Sequence, residues 1–250
     1  DLGIRLDQID RSGSVTDEDH GDIDYYSIDD STSSFAMSVG RDLNEKLSVN
    51  LGYASVERLP SVIELFMNGP HMATGRFEVG DPNLSSETSN NLDITFNYQN
   101  GEYYGYASFY ITDVDNYIAL IDEDEDHDDH GDHDEHGDHD DHGDDDHGDE
   151  HDHGNLIHAN YMQEDAECDG YEIEFGRTFA VGSGELDLSF GRDVVNAEFS
   201  DGHYVPRMNP ARNIYSLSYK QDDLLFNLSL KDVEKQNDIG EGETVTDGYQ

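Results

Sequence analysis

Tyr215-Ser216-Leu217-Ser218-Tyr219-Lys220-Gln221-Asp222-Asp223-Leu224-Leu225-Phe226-Asn227-Leu228-Ser229-Leu230-Lys231 decides the fold. Tyr215, Leu217 and Tyr219 alternate with Ser216, Ser218 and Lys220. After the polar step at 221–223, Phe226, Leu228 and Leu230 alternate with Asn227, Ser229 and Lys231. A period of two puts the apolar residues on one face of a strand and the polar ones on the other. The stretch therefore reads as a hairpin with one apolar face.

The same pattern recurs upstream. Leu47, Val49, Leu51 and Tyr53 alternate with Ser48, Asn50 and Gly52, and Leu186, Leu188 and Phe190 alternate with Asp187, Ser189 and Gly191. Such runs last about ten residues, the length of a tilted strand that crosses a bilayer. Short connections near 42–45, 99–102, 181–184 and 221–223 alternate strictly with long ones at 11–31, 57–86, 122–160, 200–211 and 236–243. In an up-and-down meander this gathers the long loops at one end and the tight turns at the other. Outer-membrane barrels have that layout, with the long loops extracellular. The expected fold is all-β: an antiparallel transmembrane β-barrel of which about ten strands are present. A β-sandwich or solenoid that buries the apolar face against a second sheet is the soluble alternative. The chain opens in a strand (Leu2, Ile4, Leu6) and stops in another after Tyr249, so a fragment of a larger barrel fits better than a closed small one.

Composition supports this reading. Hydrophobic content is 34%, low for one large soluble core, yet Tyr and Phe total 25. A polar barrel interior accounts for the low hydrophobic content, and the aromatic count is not that of a disordered chain. No apolar run approaches the length of a membrane helix. The net charge is −46, which excludes a nucleic-acid binder and suits a surface that attracts cations. The single cysteine, Cys168, has no internal partner for a disulfide.

One tract stands apart, at 122–154. It holds 9 of the 13 histidines and 19 of the 59 acids, with no apolar side chain, so it reads as a disordered loop insertion. His127, His130, His133, His136, His139 and His142 recur every third residue, followed by His147, His151 and His153. Imidazole nitrogens beside carboxylates suit zinc and its first-row neighbours, and His-rich tracts are read as metal binding. The tract lacks the spacing of a structural zinc site and has no cysteine, which fits a collector of several exchanging ions better than one cage. A solvated acidic spacer is the bland alternative. His158 flanks the tract and extends it, and His20 and His203 lie in other long loops.

The segment Gly52-Tyr53-Ala54-Ser55-Val56-Glu57-Arg58-Leu59-Pro60-Ser61-Val62-Ile63-Glu64-Leu65-Phe66 resembles the barrel motif of TonB-dependent outer-membrane receptors, in which an aromatic strand end runs into Arg-x-Pro-Ser-x-x-Glu-Leu. Asn68-Gly69-Pro70-His71-Met72-Ala73-Thr74-Gly75, followed by Phe77-Glu78-Val79-Gly80-Asp81-Pro82-Asn83-Leu84, resembles the zinc-uptake branch of that family. Tyr204-Val205-Pro206-Arg207-Met208-Asn209-Pro210-Ala211-Arg212 is similar to the family's Pro-Arg step into a strand. The resemblance covers residues 1–250, with 122–154 as an insertion. It implies a barrel of about 22 strands closed by an N-terminal plug that lies outside this sequence. It also implies coupling to a TonB energising complex through that missing part, and outer-membrane lipid around the barrel. Zinc is then the transported ligand, with no catalytic cofactor, and His71 is a metal ligand on the barrel side of the entry site. Glu64, in a motif shared across substrates, reads as structural. Haem or siderophore uptake, and surface scavenging without import, are the alternatives. No catalytic constellation points to an enzyme.

Overall fold

A computed structural model of the chain describes residues 1–16, 22–123 and 156–250. Nine strands form one antiparallel meander: β1 (Leu2–Thr16), β2 (Ile23–Asn44), β3 (Leu47–Arg58), β6 (Glu87–Asn100), β7 (Tyr103–Asp122), β8 (Ile157–Val181), β9 (Gly184–Phe199), β10 (Arg212–Gln221) and β11 (Leu224–Val233). Between β3 and β6 lie a short helix, α1 (Val62–Phe66), and a small hairpin of β4 (Asn68–His71) and β5 (Arg76–Val79). The expected ten strands are thus nine long ones and two short ones.

Register carries the apolar face from strand to strand. One row runs Val39–Leu51–Ile94–Phe109–Tyr171–Val194 and another Phe175–Phe190–Tyr215–Leu230. A third joins Leu188, Leu217 and Leu228. Leu51, Phe109, Phe175 and Leu228 are exposed, so this face has no protein cover among the described residues. A second sheet would be required in a sandwich, and the described strands form one sheet. A band of this kind is stable when the surrounding solvent is hydrocarbon. Among the described residues, no helix is long and apolar enough to cross a membrane. The opposite face carries Thr95, Ser108, Glu172, Asp193 and Arg212 in one row.

The tight turns fall where the sequence places them. Gly101 (φ 60°) and Gly182 (φ 63°) take the left-handed positions in two of them, and Asp222 (φ 46°) does so in a third. The long-loop end differs in one respect. The expected loop at 11–31 is mostly strand: β1 and β2 pair from Leu2↔Met37 up to Thr16↔Ile23. Above the apolar band both faces meet water or neighbouring loops, so period-two hydrophobicity is lost while pairing continues. Arg11, opposite Ile28, shows what replaces it, with an ion pair to Asp30 at 2.8 Å and a bond to the Pro60 carbonyl. The strands reach 22 residues in β2 and 25 in β8, far more than a bilayer needs. At the C-terminus, Tyr249 exchanges backbone bonds with Val233 as an isolated bridge rather than a full strand.

What core there is sits at the long-loop end. Leu65, Phe77, Ile118, Ala159 and Val205 are buried there. Ala166, Ala197 and Val205 form a cluster with Tyr117, Cys168, Phe199 and Met208 packed on it.

Candidate metal site at the long-loop end

Residues 58–66 build the frame. Ser61 caps α1, and Glu64 closes the capping box by accepting from the Ser61 N–H at 2.6 Å. Arg58 holds Glu64 (3.0 and 2.9 Å) and Glu87 (3.3 and 2.9 Å) at once. The second oxygen of Glu87 also takes the Ile118 N–H at 2.9 Å. Leu65 is fully buried, and the Phe66 ring covers Gly13 and tilts against Tyr26. Glu64 is therefore a structural brace.

The chain leaves α1 and returns beside it. Gly80 donates to the Met67 carbonyl at 2.7 Å, and Asp81 to the Glu64 carbonyl at 2.9 Å. Between these contacts stands the β4–β5 hairpin. Its turn closes through Thr74 and Gly75, both donating to the His71 carbonyl, with Gly75 at φ 68°. β5 then pairs in parallel with the start of β8, Phe77 opposite His158.

This geometry brings His71 to Glu78. Nδ1 of His71 lies 2.8 Å from Oε1 of Glu78. The ring is half exposed at 49%, whereas the carboxylate is at 2%. Thr74 Oγ1 is 2.9 Å from the same oxygen, and the Tyr161 hydroxyl is 3.5 Å from the other. A carboxylate accepts, so Nδ1 is the donor in this contact and Nε2 is the ring nitrogen that Glu78 does not touch. His158 stacks on Phe77 of the same hairpin, with centroids 5.2 Å apart and planes at 22°.

Asp122 ties the surroundings together. It ends β7 instead of opening a loop. Its carboxylate takes Nε and Nη2 of Arg76, both at 2.6 Å, and Nη2 of Arg207 at 3.1 Å. Arg207 sits at φ 66° and also donates to the Leu120 carbonyl at 2.5 Å. The Pro-Arg step thus reaches back to the base of the 122–154 segment.

His127, His130, His133, His136, His139, His142, His147, His151 and His153 lie outside the described residues, as does His20. His203 is described. Its Nδ1 lies 2.6 Å from Asp201, which raises the imidazole above its ordinary value, while the His203 backbone N–H at 2.9 Å and then the ring lower the carboxyl. The raised imidazole holds the contact at low pH and releases it as pH rises through its own value. The depressed carboxyl keeps the contact until pH falls through the lowered one. Cys168 is a partly buried free thiol. Among the described residues, no three His, Cys, Asp or Glu side chains are grouped to hold an ion by themselves. The arrangement presents one oriented imidazole, and an ion would need further donors beyond it. Sequence reading passed over Glu78, Thr74 and Tyr161. The first two lie inside the quoted motif, while Tyr161 is 83 residues from Glu78 and carried no signal.

Several solved structures share the fold. The copper transporter OprC aligns over 99% of this chain and 35% of its own, at 18% identity and TM-score 0.69. The FrpB iron transporter from Neisseria meningitidis aligns over 99% and 34%, at 14% identity and TM-score 0.56. The Serratia marcescens hemophore receptor HasR, solved with its hemophore HasA and heme, aligns over 93% and 39%, at 16% identity and TM-score 0.52. The chain thus spans roughly a third of the length of these proteins. Residues 1–249 match the family described as TonB dependent receptor-like, beta-barrel, and the chain belongs to that family.

Proposed function

We propose that the protein imports zinc across the outer membrane. In this reading a plug closes the barrel, a TonB complex drives release of the ion, and the long loops face outward. The observation that carries the reading is the pair His71–Glu78: an imidazole whose Nδ1 is held by a buried carboxylate at 2.8 Å while Nε2 stays available. That is how zinc-binding histidines are oriented. Two further features support a cation. The polar face carries Asp93, Glu172, Glu174, Asp187 and Asp193, which favours positive cargo and opposes anionic chelates. The histidines of 122–154 supply several nitrogen ligands at the entrance and act as a collector that raises the local zinc concentration.

Zinc uptake by cells carrying the full receptor tests this. Because Asp122 is a buried brace, the deletion should spare it and remove 124–154. That deletion should raise the zinc concentration needed for half-maximal uptake and leave the maximum nearly intact. His71→Ala should lower uptake even when zinc is plentiful, since it changes the site and not the supply. Uptake like the parent's by both variants, at limiting and saturating zinc, overturns the reading in favour of haem uptake or scavenging.

A further inference from the structure

Glu78 is an anomaly among the carboxylates at this end of the sheet. Glu64 and Glu87 share Arg58, and Asp122 has Arg76 and Arg207. Each buried negative charge there meets a guanidinium. Glu78 is as deeply buried, at 2%, yet its partners are an imidazole and two hydroxyls. Its strand neighbour Arg76 bonds Asp122 and reaches Glu78 only through space. Burying a carboxylate is expensive unless it is paired and hydrogen-bonded, and here the pairing falls on the His71 ring.

We infer that Glu78 is the positioning residue of the His71 ligand: its buried carboxylate fixes the ring's tautomer and direction. This rests on the zinc-import reading and deepens it. Glu78 does not itself meet the ion. Oε1 is taken by His71 Nδ1 and Thr74 Oγ1, Oε2 faces the Tyr161 hydroxyl, and the group is closed to solvent. The Thr74–Gly75 turn is the means by which β4 delivers the ring to the carboxylate, and the β5–β8 pairing delivers Tyr161 to its other side.

The test is zinc uptake per surface receptor, from limiting to saturating zinc, in the full receptor carrying Glu78→Ala, Glu78→Gln, His71→Ala or the double alanine variant. Removal of such an orienting partner typically weakens metal affinity about 10- to 100-fold. Glu78→Ala should therefore raise the half-saturating zinc concentration by about 10-fold or more. Glu78→Gln should recover most of that, because its amide oxygen still accepts from Nδ1. The double variant should be no worse than His71→Ala alone. Ring-nitrogen NMR should show His71 as the Nδ1-protonated tautomer in the parent and a tautomer mixture in Glu78→Ala. If Glu78→Gln is as damaging as Glu78→Ala, the charge meets the ion directly and the positioning role is wrong. If Glu78→Ala lowers only the amount of receptor, with half-saturation unchanged, the role is structural and the inference fails. If His71→Ala is itself without effect, the zinc-ligand reading falls first, which keeps the two failures distinct.

Discussion

Gly80 shows how much a single position can fix. A Cβ there would lie 2.7 Å from the Leu65 carbonyl carbon, 2.8 Å from the Glu64 oxygen and 2.8 Å from the Phe66 nitrogen. All three are backbone atoms of α1 and cannot swing aside. The bonds from Gly80 to Met67 and from Asp81 to Glu64 require that approach. Gly80→Ala should therefore cost about 1–3 kcal/mol, the usual penalty of overpacking. Gly69, in β4 of the same hairpin, has nothing within 4 Å of its Cβ position, so Gly69→Ala should be tolerated. Urea unfolding of the two receptors from lipid vesicles checks the contrast, and equal midpoints would refute it.

At the scale of elements, the β4–β5 hairpin is held on two sides. β5 is stitched to β8 by parallel pairing, with the Ile157 N–H donating to the Gly75 carbonyl at 3.2 Å. It is tied to β7 through Arg76 and Asp122. The same Asp122 fastens the 200–211 loop through Arg207, whose own N–H donates to Glu243 at 2.7 Å. Two long loops, 57–86 and 200–211, thus converge on one carboxylate at 5% exposure. Asp122→Ala strands two guanidinium groups and should cost about 3 kcal/mol, near the lower bound for breaking a buried pair. The effect should be local. Protease should cut within 57–86 faster in the variant, while the strands of the apolar band keep their resistance to urea. Uniform loss across the sheet would refute this division.

The whole molecule is governed by which solvent each face meets. Leu217 lies in the apolar row with Leu188 and Leu228, and Ser216 lies between Ser189 and Ser229 on the polar face. The two are adjacent in sequence and differ in the medium they face. Leu217→Arg should destabilise the membrane-inserted protein by about 2–4 kcal/mol, the cost of a cation near the bilayer midplane. Ser216→Arg should cost much less, because that face is hydrated. Folding yields into vesicles at graded urea measure both. Comparable losses would mean that the faces are assigned the wrong way round.

Much of this protein was legible in its residues alone. Alternation at 47–53, 186–191 and 215–231 fixes the strands and the face each side chain takes, because the pleat has a period of two and hydrocarbon tolerates no polar row. The tight turns were equally plain, since Gly101 and Gly182 sit where left-handed backbone is needed. Above the band the signal fails. β1 and β2 continue through the expected loop at 11–31 because backbone pairing needs no hydrophobic pattern once both faces are wet. The site was half legible. His71 and Glu78 stand in one motif, but their 2.8 Å contact depends on the turn at Thr74 and Gly75. Tyr161, Asp122 and Arg207 join the site from distant positions in the chain, and no local pattern announces such a meeting. Local periodicity determined the sheet, since each strand responds to its own solvent. Only the tertiary structure decided which buried carboxylates meet an arginine and which one meets a histidine, because those pairings depend on how the long loops fold across one another.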